Sequence, residues 1–192
     1  YAIAKIAGIK LCDALRKQYN FDAISLMPTN LYGPLDNYHP ENSHVLPALI
    51  KKFDDAIVND SKEVICWGSG KALREFLYVD DLAQASVFAL ENWNPENSNA
   101  PRDEEGNKLS LLNVGSNDEI SIFELAGEIA LATGFSGKII WDRTKPDGTP
   151  KKELDKTHLT TLGWKSKTSL KDGIKKTIKS YREEKDKGIL RL

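Results

Sequence analysis

Cysteine is scarce in this chain, and so is any long apolar run. The two cysteines, Cys12 and Cys66, stand in helix-like and strand-like apolar contexts with no CxxC and no Cys/His clustering. That argues against a disulfide framework or a metal centre, and both are expected to be reduced core thiols. No stretch approaches the roughly eighteen apolar residues that span a bilayer, and no charged-then-apolar leader opens the sequence. Charge of one sign is not in surplus either: 27 Lys and Arg against 28 Asp and Glu leave a net charge of −1 over 192 residues. Nucleic acid and acidic membrane, which select basic surfaces, are therefore poor choices for the main partner. The composition reads as that of a cytoplasmic globular protein. Position 1 lacks a methionine, and helical sequence runs from the first residue without a cap. Both lead to the expectation that an N-terminal portion precedes these residues.

What is present is an alternation of strand-like and helix-like segments. Residues 1–18 place Ile6, Ile9, Leu11, Ala14 and Leu15 among polar residues in a helical pattern that stops before Asn20. Ala23 to Met27 reads as a buried strand cut by Pro28, and a loop rich in turn residues runs from Pro28 to Asn42. Ser43 is the expected N-cap of the next helix, in which Val45, Leu46, Leu49, Ile50 and Phe53 recur at i, i+3, i+4 spacing. Val64–Trp67 and Phe76–Val79 read as strands joined by the turn Gly68-Ser69-Gly70, and Asp80 and Asp81 as caps of the following helix, at its positive end. A polar, acidic surface loop covers 92–108. After it come a strand at Leu111–Val114, a helix opened by a Ser121/Glu124 capping box, a strand at Lys138–Trp141 and two closing helices over 155–162 and 169–184. Strands alternating with helices indicate an α/β fold with parallel strands.

Chemistry first shows at the start of the chain. Tyr1 and Lys5 are four apart in helical sequence, which stacks them on one face about one turn apart. An ammonium beside a phenol favours the phenolate, and a tyrosine so placed can trade a proton with a substrate oxygen, although such a pair also arises by chance on many helices. Of three histidines, His39 lies in a turn and His158 on a short polar helix. His44 opens a helix, and imidazole is the side chain that titrates nearest neutrality. Arg74 offers a planar fork of donors suited to phosphate oxygens. Trp67, ahead of a glycine turn, can pack on a base or ribose or belong to the core. Asp147 sits in a Pro-Asp-Gly-Thr turn, and Lys52 and Lys152 read on context alone as solvated charges. Pro28 to Leu31 follow the carboxyl end of a strand, where doubly wound sheets bind cofactors.

Several segments together resemble a known family. Tyr1-Ala2-Ile3-Ala4-Lys5 looks like the YxxxK pair of the short-chain dehydrogenase/reductase family, and Pro28 to Pro34 resembles the turn after a central strand in its extended, nucleotide-sugar branch. Arg74-Glu75-Phe76-Leu77-Tyr78-Val79-Asp80-Asp81 is similar to that branch's diphosphate-binding segment. Lys145 to Lys152, with Asn42 to Leu49 and Trp67-Gly68-Ser69-Gly70, resembles the members that epimerise C3 and C5 and reduce C4 of GDP-4-keto-6-deoxy-D-mannose with NADPH.

The resemblance implies the C-terminal part of a Rossmann-type doubly wound parallel sheet, residues 1–30 and 79–116, with a smaller α/β substrate region over 31–78 and 117–192. It implies that Tyr1, Lys5 and His44 are catalytic, Tyr1 bonding the sugar O4 and His44 acting as the epimerisation acid. Lys5, Pro28, Thr29, Asn30, Leu31 and His44 would contact NADP, and Lys52, Trp67, Arg74, Asp147 and Lys152 the GDP-sugar. It also implies a homodimer packed through long helices, one of them over 1–18. The family's glycine-rich GxxGxxG turn is absent, and so are the serine and cysteine that precede the tyrosine. These residues by themselves are thus expected to be inactive, and neither Cys12 nor Cys66 to be the catalytic thiol. The rivals are a nucleotide-sugar 4-epimerase or 4,6-dehydratase of the same branch, which has no need of an acid such as His44, and a non-catalytic dinucleotide sensor, which needs no proton-transfer set.

Overall fold

A computed structural model describes residues 1–116 and 119–192. Helix α1, Ala2–Tyr19, stops at Asn20, which takes a left-handed conformation (φ 51°) and donates its N–H to Leu15 O. Arg16 and Lys17 sit in its last turn, where the helix dipole favours cations. Strand β1, Ser25–Pro28, comes next, and β2, Asn30–Tyr32, lies within the stretch expected to be loop. Helix α2, Val45–Val58, starts after His44, whose extended backbone makes it the N-cap in place of Ser43 and whose side chain caps nothing.

Strands β3, Glu63–Trp67, and β4, Leu73–Tyr78, are consecutive in the chain but belong to different sheets. Helix α3, Val79–Asn92, has Tyr78 as its N-cap. Asp80 and Asp81 stand inside its first turn, and buried Asp81 accepts from the N–H groups of Lys167 and Thr168. The 92–108 segment carries no named strand or helix after Asn92, yet its Trp93 and Ala100 are buried. Then follow β5 (Leu111–Val114), β6 (Glu119–Ser121), α4 (Ile122–Thr133), β7 (Lys138–Asp142), β8 (Lys151–Lys152), α5 (Thr157–Thr161) and α6 (Leu170–Asp186). Ser121 and Glu124 form the expected capping box.

The fold is mixed α/β. β1 runs parallel to β5, β2 parallel to β4, and β3 parallel to β7. β4 also pairs antiparallel with β6 and parallel with β8. Two apolar clusters result. One gathers Tyr32, Ile50, Phe53, Leu125, Ile129, Ile174 and Tyr181 from β2, α2, α4 and α6. The other joins Leu77, Ala85, Ala89, Leu112, Val114 and Leu159 from β4, α3, β5 and α5. Neighbouring residues of β4 serve both, since Phe76 and Tyr78 enter the first and Leu77 the second, as the two-residue period of a strand requires. By contrast α1 has no buried residue among its eighteen.

Candidate functional site

β3 exposes alternate residues: Val64 and Cys66 point into the core, and Trp67 is left 63% exposed at the strand's end. Burial pushes the Cys66 thiol up from its ordinary value, consistent with a packed rather than a reactive thiol. The indole of Trp67 gathers two cations, Lys52 Nζ at 5.2 Å and Lys145 Nζ at 5.6 Å from the ring centroid. Lys52 reaches it from α2 and also donates to Ile65 O at 3.1 Å.

Immediately after Trp67 the chain turns through Gly68, at φ 79°. A methyl group there would collide with the carboxylate of Asp147, so both the backbone angle and the close approach require glycine. Asp147 accepts from Ser69 twice, from the N–H at 2.7 Å and from the hydroxyl at 2.6 Å. These two donors hold its carboxyl below the ordinary range.

Arg74, on β4, donates from Nη1 to Leu73 O and to Thr149 O, each at 2.7 Å. Leu73 N–H bonds Pro150 O at 2.8 Å, so 145–150 forms a strap clipped to the β3–β4 connection. Under the strap lies a cavity of about 200 Å³ lined by Val45, Trp67, Gly70, Ala72, Arg74, Ile122, Pro146, Asp147 and Gly148. Its volume suits part of a nucleotide sugar rather than the whole. A larger, more open depression of about 550 Å³ lies at 153–161 and is lined by Glu153, Asp155, Lys156 and Thr157 among others. It lacks an aromatic or an arginine, and none of the sequence-predicted residues lines it.

The structure thus brings together Trp67, Arg74 and Asp147, with Lys52 attached through the indole. His44 directly precedes Val45 of the cavity wall and is exposed. Lys152 is exposed on β8 in register with Arg74, outside the cavity lining. Tyr1 and Lys5 also stand apart from that lining. They lie together, Lys5 Nζ 5.3 Å from the Tyr1 ring centroid, at the open end of α1. The segment Pro28–Leu31 is linked to the strand of Arg74: Thr29 Oγ1 and Asn30 Nδ2 donate to Glu75 O at 3.1 and 2.8 Å. Those two side chains are therefore engaged, and a cofactor there would meet chiefly the backbone. Ser69 and Lys145 are site residues that sequence reasoning did not single out. Only the motifs quoted around them pointed to either.

Residues 1–101 match the NAD dependent epimerase/dehydratase family. GDP-L-fucose synthase 1 of Arabidopsis thaliana is 54% identical over 94% of this chain and 52% of its own length. GDP-L-fucose synthase of Escherichia coli strain K12 is 47% identical over 97% of this chain and 57% of its own length. Among solved structures, a GDP-L-fucose synthetase from Naegleria fowleri bound to NADP superposes with a TM-score of 0.82 at 28% identity, covering 100% of this chain and 56% of that one. The chain spans a little over half the length of these relatives.

Proposed function

Because the chain belongs to the NAD dependent epimerase/dehydratase family, we propose that it supplies the proton-transfer and sugar-binding part of a GDP-L-fucose synthase. That enzyme inverts C3 and C5 of GDP-4-keto-6-deoxy-D-mannose and reduces its C4 ketone with NADPH, giving GDP-L-fucose. The observation that carries the reading is the convergence of Trp67, Arg74 and Asp147, from three separate segments, on one cavity flanked by Lys52. Two cations, a guanidinium and an exposed indole are what a nucleoside diphosphate requires. At 46–54% identity, several curated relatives carry the same name.

In this mechanism Arg74 and Lys52 hold the diphosphate, Trp67 and Asp147 the nucleoside, and Lys152 adds positive charge at the rim. The sugar is thereby fixed, and its freedom is lost before reaction. Epimerisation removes a proton beside the ketone, leaving an enolate whose oxygen O4 accepts from the Tyr1 hydroxyl. His44 returns a proton to carbon from the opposite face, while the base that removes it comes from sequence outside these residues. Tyr1 then donates its proton to the C4 alkoxide, so one phenol serves both stages, and the nearby Lys5 ammonium stabilises the phenolate left behind. When bound, NADPH supplies the hydride to C4. Lys5, His44 and the backbone of Pro28, Thr29, Asn30 and Leu31 would hold its nicotinamide end.

Residues 1–30 and 79–116 are assigned to the cofactor half, and 31–78 and 117–192 to the sugar half. No described helix is long and apolar enough to cross a membrane, and the reading puts the protein in the cytoplasm. It also takes the protein to be a homodimer packed through α1, whose Ile3, Ile6 and Leu11 are exposed. The test is an assay of the full protein with GDP-4-keto-6-deoxy-D-mannose and each nicotinamide cofactor. NADPH-dependent formation of GDP-L-fucose is expected, and consumption of neither reactant would sink the reading. In the same assay His44→Gln should slow solvent deuterium incorporation at C3 and C5 more than hydride transfer to an already epimerised ketone. Equal losses would move His44 to a holding role.

A further inference from the structure

The strap over the cavity is fastened unevenly. Its downstream part is held by the bonds from Arg74 and Leu73 to Thr149 O and Pro150 O. The upstream part, which carries Lys145, Pro146 and Asp147, is tied to the β3–β4 connection through Ser69. Ser69 Oγ itself accepts from Lys71 N–H at 3.2 Å. Its single hydroxyl proton goes to Asp147 Oδ2, since an ionised carboxylate can only accept. A carboxylate has about four acceptor positions. Ser69 occupies one on each oxygen, which leaves each oxygen able to accept from one further donor, the pattern that suits two adjacent hydroxyls.

We propose that Ser69 is a positioning residue for nucleotide recognition: it fixes the Asp147 carboxylate and the strap so that the remaining acceptor positions meet the vicinal hydroxyls of the ligand's ribose. This rests on the reading of the cavity as the nucleotide end of a GDP-sugar site. Ser69 contacts no reacting atom in this scheme, and its effect is transmitted through Asp147.

The test compares Ser69→Ala, Ser69→Thr, Asp147→Asn and the Ser69→Ala/Asp147→Asn pair in the full protein. Hydrogen exchange without ligand should be faster at the amides of Lys145 and Asp147 in Ser69→Ala than in the parent, with that of Leu73, whose N–H bonds Pro150 O, little changed. Calorimetric titration of GDP should show affinity lowered about tenfold in Ser69→Ala, the scale of one hydrogen bond to a charged group. Ser69→Thr should restore it, and KM for the GDP-sugar should rise by a larger factor than kcat falls. In the Asp147→Asn background the added Ser69→Ala change should cost less than about twofold, since contacting residues are not additive. Unaltered exchange at Lys145 and Asp147, or an undiminished penalty in the Asp147→Asn background, overturns the proposal. If the parent itself binds no GDP, the functional reading falls, while the exchange comparison still decides whether Ser69 fastens the strap.

Discussion

The two regions proposed to make up the site are built differently. Around the cavity, Arg74 is bonded to two carbonyls, Asp147 to two donors of Ser69, and Lys52 to a carbonyl and an indole, with partners up to 78 residues away in sequence. In the region proposed for proton transfer, Tyr1 and Lys5 meet each other, on a helix with no buried residue. The side chains around the cavity are thus held by several bonds within this chain, whereas Tyr1, the proposed proton donor, stands at the open end of a helix held only farther along, by Asp13 with Ser110 and Arg16 with Ala23. Changes around the cavity should register in affinity and stability together, and changes at Tyr1 in chemistry alone.

Tyr1→Phe sharpens the contrast most. It should lower the reduction rate by about 10²–10⁴, the range for loss of a positioned proton donor, while leaving NADPH affinity and the melting temperature as in the parent. Tyr1 is 97% exposed, and its hydroxyl bonds no other residue among those described. Normal turnover would remove Tyr1 from the mechanism.

Arg74→Ala should weaken GDP binding by about 1.5–3 kcal/mol, roughly one to two powers of ten. It should also loosen the strap, because Thr149 O loses its donor. Lysine at this position should recover only part of the affinity, a point charge being unable to reproduce the planar fork. Calorimetry on both variants decides this, and parent-like affinity for alanine would break the diphosphate assignment.

Asp54 tests the frame beneath the anchored end. It lies buried on α2, the helix of Lys52, and accepts from Arg182 Nε at 2.9 Å and Lys185 Nζ at 2.8 Å. Burial works to raise its pKa, but the hydrogen bonds from Lys185 and Arg182 outweigh it and the net shift is downward. Its contribution is therefore present above the unfolded carboxyl value, near 3.8, and is lost as pH falls through the lower folded one. Asp54→Asn should cost about 2 kcal/mol in urea unfolding at neutral pH, after discounting for its part-exposed partners, and should flatten the acid limb of the stability curve. An unchanged acid limb would contradict the sign. The smallest effect is expected of Ser121→Ala, about 1 kcal/mol from the lost cap, with GDP affinity unaltered.

Much of this was readable in the sequence where a signal is local. The periodic α1, the apolar β3, β5 and β7, and the Ser121/Glu124 capping box stand close to where pattern places them. The short strands β2, β6 and β8 were not readable, since two or three residues show no period, and their pairing with β4 is set by tertiary contact. The turn at Gly68-Ser69-Gly70 gave no sign that its flanking strands go to separate sheets. For the site, resemblance named Trp67, Arg74 and Asp147, but nothing local could reveal that Ser69 grips a carboxylate 78 residues away.

Because β3 and β4 part company at that turn, the cavity straddles two sheets: Trp67 stands on one, Ala72 and Arg74 beside or on the other. A ligand seated there would act as a further cross-brace between two sheets already joined by a shared apolar cluster and by the strap's bonds to Arg74 and Leu73. Binding should then do more than add its mass-action increment to stability. It should couple the unfolding of β3–β7 to that of the β4 sheet, so that the thermal transition narrows as well as moves upward when the brace is in place.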